Sequence, residues 1–178
     1  MGMKPHLCTT GAQSWSCPVL WSASGATLVR MGIRYYAYPV RAELVDHARS
    51  DPRLFISDDP LMDAWGDPDD RPPMLYLDKA WRALQQLFVG RPCAAMVHGQ
   101  VAMCGNGVEY HPWFGVLDPD EVAEVARDIV LVDEPVAVPG RRERVLFEVD
   151  YVSQYLGAAR EFVCELADER SGLVYTIG

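Results

Sequence analysis

Met74-Leu75-Tyr76-Leu77-Asp78-Lys79-Ala80-Trp81 is the stretch on which the reading of the fold turns. Its first four residues are apolar or aromatic and read as a short extended segment. Beyond Asp78 the pattern changes: Trp81, Leu84, Leu87 and Phe88 recur on one face of a helix. Asp78 is predicted to cap this helix by accepting backbone N–H bonds. Gly90 supplies the left-handed stop, and Pro92 prevents continuation.

Upstream, Ile33-Arg34-Tyr35-Tyr36-Ala37-Tyr38 is aromatic and β-branched and reads as a first strand. Pro39 is placed to start a helix carrying Val40, Leu44, Val45 and Ala48, ending near Ser50. Residues 51–73 hold Pro52, Pro60, Pro68, Pro72, Pro73 and seven aspartates, which predicts a long acidic surface loop without regular structure. Downstream, Pro92 to His98 reads as a short helix closed by Gly99, or as strand. Gly105-Asn106-Gly107 reads as a turn. Asp118, Pro119 and Glu121 give a helix all its start signals, including a capping box, with Val122, Val125, Ala126 and Ile129 as its buried face. After a linker at 135–140, a long helix is expected from about Val149 to Glu169. Leu173-Val174-Tyr175-Thr176-Ile177 reads as a final strand. The expectation is an α+β single domain: a small sheet with terminal strands, packed against four or five helices.

Composition narrows the function classes. The chain has 178 residues, 49% hydrophobic and 23% charged, with a net charge of −9, the profile of one globular domain. Neutralising phosphates needs a basic face, so the balance argues against nucleic acid and against anionic lipid. No apolar run approaches the length of a spanning helix. Residues 1–30 hold no acidic side chain and no apolar periodicity, and Cys17 to Trp21 is too short for a signal-peptide core. They read as a disordered extension, or as upstream sequence translated from a misplaced start, with the domain beginning at Met31. Cys93, Cys104 and Cys164 are an odd set without paired spacing, which suggests free thiols and a cytoplasmic location.

From Met31 onward the chain resembles the bacterial YfbM-like family, a domain of unknown function. The likeness is carried by Met31-Gly32-Ile33, by Leu75 to Trp81 with Leu84 and Gly90, by Leu117-Asp118-Pro119-Asp120-Glu121-Val122, and by Leu173 to Gly178. The Asp78-Lys79-Ala80-Trp81 block is the most specific of these. The acidic loop and His111-Pro112-Trp113-Phe114 depart from the family pattern. The resemblance implies a cytoplasmic α+β domain and brings no catalytic residue with it.

Four groups of residues are candidates for chemistry. Asp78, Lys79 and Trp81 could bind an anion or move protons at a helix start, against the plainer reading of a cap, a solvated charge and a core side chain. Cys93, His98, Cys104 and His111 have zinc-ligand chemistry, but their C-x4-H-x5-C-x6-H spacing matches no established zinc pattern, so neither metal nor cofactor is expected. The aspartates of 51–73 lack EF-hand spacing. Tyr110, His111, Trp113 and Phe114 form an aromatic edge that reads as a pocket or interface, or more simply as core packing. No nucleophile elbow, His-Glu-x-x-His or phosphate loop is present. The expectation is a small acidic module that covers a basic protein partner, as an inhibitor or immunity-type protein does. The alternative is a small enzyme or ligand-binding protein with a pocket near Asp78, Lys79, His98 and His111.

Overall fold

β6, Gly172–Ile177, is buried along its whole length, and that explains its unbroken apolar sequence. It lies inside a four-stranded antiparallel sheet of order β2-β1-β6-β5, with both faces covered. β1 is Tyr35–Val40, β2 is Leu75–Asp78 and β5 is Trp113–Leu117. This is a computed structural model, and it describes residues 32–67, 69–104, 109–135 and 144–178. By its contacts the chain divides into Met1–Arg30 and Met31–Gly178, and the fold here is that of the second unit. The expectations for residues 1–30, for the turn at 105–107 and for the linker from 136 onward fall outside the described residues.

One face of the sheet presents Tyr35, Ala37, Leu75, Leu77, Leu117, Leu173, Tyr175 and Ile177 to the main core. Three helices close that face: α3 (Trp81–Leu87), α4 (Pro119–Ile129) and α5 (Arg144–Asp168). A 3-10 helix at Pro92–Val97 adds Cys93, Met96 and Val97. The other face presents Tyr36, Tyr38, Val40 and Val174 to α1 (Val45–Ser50) and α2 (Pro60–Trp65). Alternate residues of β1 and β6 therefore serve two separate cores, as a pleated strand requires. The fold is a single-domain α+β structure. A hairpin, β3 (Ala102–Cys104) with β4 (Glu109–His111), stands apart from the main sheet.

Several local readings hold. Val45 and Ala48 are the buried residues of α1. Trp81, Leu84 and Phe88 are buried at α3, and Gly90 takes φ +74 at its end. Asp118 caps α4 by accepting from the backbone N–H of Asp120 and Glu121 at 3.1 and 2.9 Å, while Glu121 accepts from Asp118 N at 2.8 Å. Val122, Val125, Ala126 and Ile129 form the buried face.

Others need correction. Pro39 does not start a helix; it pairs with Leu173 inside the sheet. Arg34 and Gly178 exchange both backbone hydrogen bonds, at 2.8 Å each, so Arg34, Tyr36 and Tyr38 point their N–H groups toward β6. The nitrogen of Pro39 then faces the β2 side, where pairing has ended at Ala37, and the missing donor is not needed. The proline-rich segment is not all loop. Pro52 opens a 3-10 helix through Phe55, and Pro60 opens α2, because proline at the first helical position loses no intrahelical bond. α5 begins at Arg144 rather than at Val149, and Trp113 and Phe114 belong to the edge strand β5, where Trp113 is 39% exposed.

Candidate functional site

Asp78 ends β2 with φ +44, a left-handed conformation that aspartate tolerates better than most residues. This turn aims its carboxylate sideways, so Asp78 is not the cap of α3; the cap position is Ala80, which makes no side-chain bond. Oδ1 accepts from Arg34 Nε at 3.2 Å and from the Tyr76 hydroxyl at 3.0 Å. Oδ2 accepts from the Tyr151 hydroxyl at 2.7 Å, and the Tyr151 oxygen in turn accepts from Lys79 N at 3.2 Å. Burial alone would raise the Asp78 carboxyl; the hydroxyls of Tyr151 and Tyr76 and the charge of Arg34 outweigh it and hold the group below the usual carboxylate range. Burial and the same carboxylate push Tyr76 up to about 12 and Tyr151 higher still. Asp78 therefore stays ionised and the two phenols stay protonated near neutrality. Nothing in this set titrates where general acid–base work would need it. The network is a clamp that ties β1, β2 and α5 together. Tyr155 packs edge-on against both Tyr76 and Tyr151 and extends it as an aromatic cluster.

The other residues singled out from the sequence lie in two places. Lys79 is exposed beside Asp78, and Trp81 is core, donating its indole N–H to Ile33 O at 3.3 Å. His98 is exposed and meets Trp113 edge-on at 5.7 Å between centroids; His111 is exposed. Asp78, Tyr35, Ile177 and Trp113 fall in one row across the sheet, at its two opposite edges. Three strand spacings separate the ends of that row, about 14 Å. Asp78 and Lys79 thus form one group, and His98 and Trp113 form another. Cys93 is buried in the core, and burial together with the Asp128 carboxylate pushes its thiol up to about 12. Asp128 also accepts from Cys93 N at 3.1 Å and pairs with Arg91 at 2.8 Å. Among the described residues no three His, Cys, Asp or Glu side chains are placed to hold a metal.

Two features were not singled out from the sequence. The first is the outer surface of α2. Asp59 caps this helix, accepting from Met62 N at 3.1 Å; Asp63 accepts from the Tyr38 hydroxyl at 3.0 Å; Ala64 is buried. With that side fixed to the sheet, Met62 and Trp65 are turned outward, 64% and 66% exposed. Leu54, 65% exposed, lies on the preceding 3-10 helix. Exposed Asp58, Asp59, Asp67, Asp69 and Asp70 flank α2 in the chain. The Pro60 start and the Met-x-x-Trp spacing were the available signal. The second feature is a cavity of about 270 Å³ between α2, the segment entering β2, and α5. Tyr76 lines it, so it borders the Asp78 clamp.

No family model matches this chain, and neither a curated protein nor a solved structure does.

Proposed function

We propose that the protein is a small acidic binding module that covers a basic surface on a protein partner, with Met62 and Trp65 as its apolar anchors. The observation that carries this reading is the outward Met62–Trp65 pair on a capped, anchored helix within an aspartate-rich segment. Tryptophan is enriched among the residues that dominate interface energetics, and a rigid platform lowers the ordering cost of binding. The surrounding aspartates would speed encounter with a cationic surface and select against acidic ones. The net charge of −9 adds to the same field. Free thiols at Cys93 and Cys164 are consistent with a reducing cytoplasm. Among the described residues no helix is long and apolar enough to cross a membrane. The YfbM-like kinship is part of this proposal and rests on the Leu75–Trp81 block.

Tagged full-length chain, used as bait in lysate from its own source at low and high salt, tests the reading. One near-stoichiometric basic protein, lost at high salt and lost with Trp65→Ala, is the expected result. No enriched protein, or one held equally by Trp65→Ala, would count against it.

A further inference from the structure

The cavity beside Tyr76 combines an apolar wall with charges of both signs. Ala64, Met74, Leu75, Ala158 and Phe162 supply the wall. Arg71 comes from the chain entering β2, and Glu161 and Glu165 come from successive turns of α5. All three charged side chains are exposed at the rim of the cavity and do not pair with one another. Among the described residues no ion pair or side-chain hydrogen bond engages Arg71, Glu161 or Glu165. The guanidinium and the two carboxylates are thus both left facing a space near the lower end of small-ligand pocket volumes. From this arrangement we infer that the cavity is a binding site for a free α-amino acid with an apolar side chain. Arg71 would take the carboxylate in its planar fork. Glu161 and Glu165 would take the ammonium. The wall of Met74, Leu75 and Phe162 would take the side chain. A ligand with only one of the two charges would engage only one side of the site, which gives the site its selectivity.

The test is an NMR titration of the full chain with the standard free amino acids, then with the methyl ester and the N-acetyl derivative of the best binder. The expected result is saturable shifts at the cavity-lining residues at concentrations up to about 10 mM. Each blocked derivative should bind at least about tenfold more weakly, the loss of one charged hydrogen-bonding partner. Arg71→Gln and Glu161→Gln/Glu165→Gln should cause similar losses. These side chains are exposed, and unchanged spectra elsewhere would show that the fold is intact. No saturable shifts with any amino acid would overturn the inference, as would blocked derivatives that bind as well as the parent. Neither outcome touches the basic-partner reading, which rests on Met62 and Trp65.

Discussion

Replacing Asp78 by asparagine keeps the shape of the side chain and its tolerance of a left-handed backbone, and removes only the charge. The carboxylate accepts three side-chain hydrogen bonds, from Tyr151, Tyr76 and Arg34. The amide oxygen can replace one carboxylate oxygen and keep Tyr76 and Arg34, at the lower strength of a neutral acceptor. The amide nitrogen then faces Tyr151, whose oxygen already accepts from Lys79 N, so the Tyr151 proton loses its acceptor. Bonds to charged groups contribute about 1.5–3 kcal/mol each, and water reaches this partly exposed site. The net cost is therefore about 2–3 kcal/mol. For a unit of this size that lowers Tm by about 5–10 °C. Urea and thermal unfolding at neutral pH would measure it, alongside Tyr151→Phe and the double variant. The double should cost less than the sum of the singles, because both remove the same 2.7 Å bond. The Asp78→Asn penalty should also shrink at low pH. The folded carboxyl lies below its unfolded value of about 3.9, so its stabilisation is present above that value and is lost as pH falls through the folded pKa. A penalty under about 0.5 kcal/mol, the range of an ordinary surface substitution, would refute the clamp.

Asp118→Ala removes the α4 capping box and the Arg49 contact at 2.9 Å, and should cost about 1–2 kcal/mol in urea unfolding. Gly115→Ala would place a methyl group against the ring of Tyr175, whose hydroxyl reaches His98 O at 2.8 Å; a loss of about 1–3 kcal/mol is expected by the same assay. Asp118 and Asp128 are also held below the usual carboxylate range. In Asp118 the Glu121 backbone N–H outweighs burial, with Arg49 adding to it; in Asp128 burial is outweighed by Cys93 and Arg91. Together with Asp78 they predict a Tm that falls steeply as pH drops below about 4 and that these groups leave flat above about pH 5.

The elements that could be read locally were read correctly for a physical reason. The α4 capping box is a contact among neighbours in sequence, and so is the Gly90 stop, so each carries its own signal. β5 carries none. Trp113-Phe114-Gly115-Val116-Leu117 is interrupted by a glycine, and it becomes a strand because β6, from the far end of the chain, pairs with it. Pro39 is admitted to an interior strand only because β2 stops short of it. Asp78 looked like a cap because its partners Arg34 and Tyr151 are remote in sequence, and Tyr151 was indistinguishable from the apolar stripe of α5. The sequence thus marks the Asp78–Trp81 block and not the partners that Asp78 binds. Met62 and Trp65 were hidden by the prolines around them, since Pro60 acts as a helix start and not as a breaker. Arg71, Glu161 and Glu165 come together only in three dimensions.

Hydrogen exchange on the full-length chain, with and without the basic protein it captures, tests the binding-module account most directly. The account places new protection at residues 52–67, around Met62 and Trp65, and that protection should disappear with Trp65→Ala. Protection centred instead on the opposite sheet edge at His98 and Trp113, with 52–67 unchanged, would contradict it.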